Sequence, residues 1–286
     1  MVRFLSLALF FIVISGSLGS NEYLYKRGFL YSQNQPYYVP STYDKIGDNL
    51  WVDKSQRVTF SDDKHCLIIG FCVDIQKPEL TMESIANELA KALEDSEEQF
   101  REIEQFLCGR YVIFYKTKDN IDLLATDATG LRPVFHDKQA SLITSHAKLL
   151  AINIQKKDIS RDQRILYFDE QDPCRRTQFE GVYQLNPNTS LELGSGKMHR
   201  IFPYQNVGSI SKHEIVQHLV SMVGGAIKGL IQNQAKPLLL SLTAGYDSRA
   251  TLSIMLLNNI KPDLCFTYIR PNNPKHYHHQ QDPNRD

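Results

Sequence analysis

Toward the carboxyl end of the sequence, Leu242, Thr243, Ala244, Gly245, Tyr246, Asp247, Ser248 and Arg249 stand where an apolar run, Pro237 to Leu242 (PLLLSL), meets a helical pattern over Ser248 to Asn258. Small residues at a strand-to-helix junction let backbone N–H groups close on an anion, and the helix N-terminus adds partial positive charge. Triphosphate or pyrophosphate suits such a loop. Thr243 and Ser248 offer hydroxyl donors, whereas Asp247 repels a phosphate and suits Mg²⁺, held indirectly, or a helix cap. Arg249 either reaches a phosphate or pairs on the helix surface. The loop lacks the Gly-Lys-Ser of a Walker loop, and composition alone favours an ordinary strand-to-helix turn with an Asp or Ser cap.

Two other groups of chemically able residues are weaker. His276, His278 and His279 are loosely spaced in a proline-rich stretch, which reads as a solvated loop before a metal site. The five cysteines (Cys66, Cys72, Cys108, Cys174, Cys265) are odd in number and show no CxxC spacing, so buried thiols are expected over a disulfide framework or zinc site.

The elements that would position the loop begin a new region. Ser211 with Glu214 makes a capping box, and Ile215, Leu219, Met222, Val223, Ile227 and Leu230 share one helical face. PLLLSL reads as a buried parallel strand, and Leu264 to Ile269 (LCFTYI) as the next strand, with Phe266 and Thr267 near the loop. Strand, loop, helix and strand form one βαβ unit of a doubly wound sheet. A lone unit cannot bury both faces of its strands. The sequence ends at Asp286 soon after, so the second domain is expected to be partial or vestigial.

Upstream, Leu67–Asp74, Gly109–Lys116, Ile121–Thr126, Pro133–Asp137 and Ser141–Thr144 read as strands, apolar on consecutive positions as in sheets covered on both faces. A helical pattern runs from Met82 to Phe106, interrupted at Glu94 to Glu98, so two helices are an option. Phe179 to Leu193 predicts a hairpin turning at Asn186, Pro187 and Asn188. The expected organisation is an α+β domain over 21–195, a linker over 196–208 and the start of an α/β doubly wound domain over 209–286.

With an apolar fraction of 42% the chain can bury a core, and 32 basic against 32 acidic residues leave no field to draw it onto nucleic acid. Residues 1–20 have the order of a secretory signal: Arg3, an apolar run from Phe4 to Ile14, then small residues with an exit after Gly19. A buried N-terminal strand is the alternative.

PLLLSLTAGYDSRATL resembles the SGGxDS segment of the asparagine synthetase family, with Thr243 in place of Ser and Ala244 in place of Gly. The resemblance extends upstream. GRYVIFY at Gly109–Tyr115, LLATDATGLRPVFH at Leu123–His136 and ITSHAKLL at Ile143–Leu150 are similar in order and spacing to internal strands of that family's glutaminase domain. Asp127, Gly130, Arg132 and Pro133 fall on its Arg-Asp-x-x-Gly-x-Lys-Pro pattern.

The resemblance implies an N-terminal-nucleophile glutaminase-like domain of layered sheets followed by an ATP pyrophosphatase domain. It implies ATP and Mg²⁺ as ligands, a carboxylate substrate (aspartate by default) activated to an acyl adenylate, and ammonia or an amine as nucleophile. A homodimer is the candidate assembly. β-Lactam synthetases and peptide cyclases share the layout. It places an acidic site residue after the second strand, for which Asp282 and Asp286 are the candidates. The glutaminase of this class needs an N-terminal cysteine. Here the chain begins Met1, Val2, Arg3, an exit after Gly19 exposes Ser20, and no cysteine precedes Cys66, so no glutaminase activity is expected. Use of ATP implies the cytoplasm, and a working signal would imply the secretory pathway. The opposing expectation is a catalytically inactive remnant that only binds.

Overall fold

A computed structural model describes residues 24–155, 177–202, 208–234, 236–243 and 245–267. The signal-like segment, Cys174, Ala244, the three histidines, Asp282 and Asp286 lie outside them. The chain divides into two compact units at Asn206 and Val207, with the short segments Val73–Ile85 and Phe106–Cys108 grouped with the second.

The first unit is built on two six-stranded sheets. One orders β10 (Tyr183–Gln184), β8 (Phe135–His136), β9 (Leu142–Thr144), β1 (Phe29–Ser32), β3 (Leu50–Asp53) and β2 (Tyr43–Lys45), every neighbour antiparallel. The other orders β12 (Met198–Arg200), β11 (Thr189–Glu192), β7 (Asp122–Thr126), β6 (Leu107–Lys116), β5 (Cys66–Asp74) and β4 (Val58–Phe60). Phe29, Val52 and Ile143 of the first sheet share a buried cluster with Ile69, Val112, Leu124 and Leu191 of the second, so the sheets pack face to face.

Each sheet is covered on its other side as well. The helix α3 (Ala147–Asn153) buries Leu149 and Leu150 with Leu30, Tyr43 and Leu142 of the first sheet. The 82–106 pattern resolves into α1 (Met82–Asp95) and α2 (Glu97–Glu104), the second started by the Ser96 hydroxyl accepting from Gln99 N–H. Phe100 of α2 stacks on Tyr115 of β6 at 4.4 Å. Coverage on both faces explains why β5 is buried along nearly its whole length and reads as a continuous apolar run.

Three expectations are corrected here. The Phe179–Leu193 segment is no hairpin: β10 pairs with β8 in one sheet and β11 with β7 in the other, so the turn at 186–188 carries the chain between sheets. Residues 198–200, assigned to a linker, form β12, because they complete an antiparallel pair with β11 and bury Ile201 behind it. The cysteines are not uniformly buried: Cys66 and Cys72 are, while Cys108 and Cys265 are exposed.

The second unit contains α4 (Lys212–Asn233), β13 (Leu239–Ser241), α5 (Tyr246–Leu257) and β14 (Leu264–Phe266). The capping box forms as expected, with Glu214 N–H on the Ser211 hydroxyl and Ser211 N–H on the Glu214 carboxylate at 2.8 Å. The apolar stripe is not what α4 buries, however. Ile215, Leu219, Met222 and Leu230 are exposed, and Gly224, Gly225 and Gly229 are buried instead. An added Cβ at Gly225 would collide with the carbonyl oxygen of Ile75, within the same unit, so backbone proximity selects glycine there. With its first turns solvated, α4 depends on its cap. Ser211→Ala is expected to cost about 1 kcal/mol locally, and amides of the first turn should exchange with solvent roughly fivefold faster in hydrogen-exchange measurements.

β13 and β14 pair in parallel with Ser241 opposite Phe266, as expected, but neither is buried. Leu239 is 56% exposed, because two strands alone cannot cover both of their faces. Among the described residues no helix is long and apolar enough to cross a membrane.

Candidate functional site

The junction residues come together as the βαβ reading requires. Leu242 N–H donates to Phe266 O at 2.8 Å, extending the parallel pair to the edge of the loop. Gly245 is the N-cap of α5, in extended conformation, and supplies no side-chain cap. The first N–H groups of a helix have no carbonyl four residues back. Those of Tyr246, Asp247 and Ser248 therefore open at the loop, where the helix dipole favours negative charge.

Thr243 and Ser248 brace this loop. Thr243 N–H donates to the Ser248 hydroxyl at 3.1 Å, that hydroxyl lies 2.9 Å from Thr243 O, and the two side-chain oxygens are 3.1 Å apart. Gly245 N–H in turn donates to the Thr243 hydroxyl at 3.3 Å. Both hydroxyls expected to face a phosphate are thus engaged in shaping the loop.

Tyr246 is 85% exposed, and the Arg249 guanidinium sits 5.0 Å from its ring centroid, so Arg249 packs on the helix surface beside the loop. Asp247, in the first turn, is exposed and complements the helix dipole. Phe266 and Thr267 are exposed at the end of β14. Among the described residues no three His, Cys, Asp or Glu side chains gather as metal ligands.

A second polar cluster, in the first unit, was only half visible in the sequence. Asp127 is 2% exposed and accepts from the N–H groups of Thr129, Leu131 and Arg132 at 3.2, 2.9 and 2.8 Å. Gly130 closes the same turn at φ +65°, a backbone only glycine adopts cheaply. Arg132, 6% exposed, donates to Arg27 O and to the Gln56 side chain, both at 2.8 Å, while its Nε has no partner among the described residues. Burial and the nearby Arg110 cation lower its pKa to about 10, with Asp127 opposing the shift.

Beside it, the Ser145 hydroxyl accepts from Phe29 N–H at 2.9 Å and lies 2.8 Å from His146 Nδ1. Burial, then the Arg132 and Arg110 cations, hold His146 below the usual imidazole range, so the ring is neutral at pH 7. This buried network fastens the start of β1. Ser145 meets Phe29, and Arg132 meets Arg27 and Gln56, across separations of 76 to 116 residues, so no local pattern announces the set.

Cys66 is fully buried, and burial pushes its pKa up, so it is not a thiolate.

No protein-family model and no curated protein matches the chain. Among solved structures it is similar to one described as the allosteric regulatory enzyme of purine biosynthesis. The identity is 12% over 79% of this chain and 51% of that one, with a TM-score of 0.32. It is also similar to glutamine phosphoribosylpyrophosphate amidotransferase from B. subtilis complexed with ADP and GMP. There the identity is 14% over 78% of this chain and 52% of that one, with a TM-score of 0.30. The chain spans about half the length of each.

Proposed function

We propose that the β13–α5 loop binds the phosphates of ATP, and that the chain belongs to an ATP-dependent amide-forming ligase without glutaminase activity. The supporting observation is the uncapped α5 N-terminus at the carboxyl end of a parallel strand, braced by Thr243 and Ser248. In this reading a substrate carboxylate attacks the α-phosphorus, pyrophosphate leaves into the N–H groups of Tyr246, Asp247 and Ser248, and ammonia or an amine displaces AMP from the acyl carbon. Aspartate is the default carboxylate. Mg²⁺, where present, would neutralise the phosphates, with Asp247 reaching it through water.

The test is isothermal titration of the chain with ATP, with and without Mg²⁺, beside Asp247→Ala. With Mg²⁺ the variant is expected to bind roughly tenfold more weakly, about 1.4 kcal/mol. Without Mg²⁺ it should bind at least as well as the wild type, because a carboxylate beside the phosphates is removed. No binding by the wild type in either buffer favours the alternative of a catalytically inactive protein.

A further inference from the structure

At one end of the sheet sandwich the two sheets part around a cavity of about 290 Å³, close to the lower limit of small-molecule pockets, roughly 300 Å³. From the first sheet it is lined by Tyr31 at the end of β1 and by Leu50 at the start of β3; from the second, by Leu67, Phe114 and Leu193. Tyr31 and Phe114 are only partly buried and pack on the inter-sheet core, with ring centroids 5.9 Å apart and planes tilted by 40°. The wall is apolar surface continuous with the core.

The rim is charged in a particular way. Asp122 is taken by Lys116 at 3.5 Å, and His65 by Asp63 at 3.5 Å. That leaves Asp48, in the turn between β2 and β3, and Lys64, in the turn between β4 and β5, with no ion pair among the described residues. Lys64 sits at φ +62°, so its turn has a defined, left-handed backbone. The two free charges are opposite in sign, belong to different sheets, and flank one apolar cleft.

A purely apolar guest would leave both charges unused, and an anion or a cation alone would use one. We infer that this cleft binds a free amino acid with an apolar side chain, its ammonium group on Asp48, its carboxylate on Lys64 and its side chain against Tyr31 and Phe114. The site is separate from the β13–α5 loop and does not depend on ATP binding there.

Calorimetric titration of the full chain with L-phenylalanine and L-leucine tests this, beside phenylalaninamide, which lacks the carboxylate, and 3-phenylpropionate, which lacks the ammonium. At least one amino acid is expected to bind with a Kd below roughly 1 mM, and each truncated analogue of phenylalanine at least tenfold more weakly than its parent. Asp48→Asn should weaken the amino acid about tenfold and leave 3-phenylpropionate unchanged; Lys64→Gln should weaken it as much and leave phenylalaninamide unchanged. Both residues are exposed, so the variants keep the fold, which circular dichroism verifies. Equal affinity for the amino acids and both analogues, or no binding of either amino acid to the wild type, overturns the inference.

Discussion

The Glu104→Gln variant is expected to be more stable than the wild type at pH 8 and indistinguishable from it at pH 4. Glu104 closes α2 one turn after Phe100, is 7% exposed, and has its pKa raised from 4.5 to about 7 by burial, with the Arg101 cation opposing. Its neighbours on the buried face include Tyr115 of β6, whose own ionisation is pushed up first by burial and further by Glu97 and Glu104. A carboxyl that ionises near 7 when folded and near 4.5 when unfolded binds more protons in the native state between those values. Its contribution is therefore fully present below pH 4.5 and lost as pH rises through 7. The loss amounts to about 3 kcal/mol at 1.36 kcal/mol per pH unit. The amide has no such slope. Thermal unfolding at pH 4, 6 and 8 measures it, and parallel pH profiles for the two proteins would sink the assignment.

The second large effect is expected at Asp127. Alanine there strips the acceptor from three backbone N–H groups in the turn that leads into Arg132, and it removes negative charge beside a buried guanidinium whose Nε is already unpartnered. Arg132 N–H is left buried without its acceptor, at about 1–3 kcal/mol, whereas Thr129 and Leu131 are exposed and their N–H groups turn to water; with the charge lost beside the guanidinium, a loss of about 3 kcal/mol follows. For a unit of this size that is a fall in Tm of roughly 10 °C. Asp127→Asn keeps one acceptor oxygen and should fall between the two. A Tm for Asp127→Ala within roughly 2 °C of wild type would show that the turn is held by its backbone and not by the carboxylate.

The first unit shows why some elements were legible and others were not. β5, β6 and β7 announced themselves because strands covered on both faces must be apolar at successive positions. β2, β4 and β12 are three residues each and include polar or charged side chains, so their own residues say little. Their neighbours hold them, as where Asp44 pairs with Val52 and Ser190 with His199. The turn at 186–188 was visible, but which sheet received β10 and which β11 is decided by partners about fifty and sixty-five residues away, His136 and Leu124 among them.

In the second unit, whatever closes within a few residues was legible in the sequence. The Ser211–Glu214 box, the strand-to-helix junction and the small residues of the loop belong here, because their partners lie inside one turn of chain. Long-range packing is what makes α4 bury its glycines and leave Ile215 and Leu219 in solvent, since a helix face is chosen by how closely another backbone approaches it. The same holds in the first unit for the Arg132 network and for the cleft between Asp48 and Lys64. Their members come from separate strands and turns, and only the packed sheets bring these together.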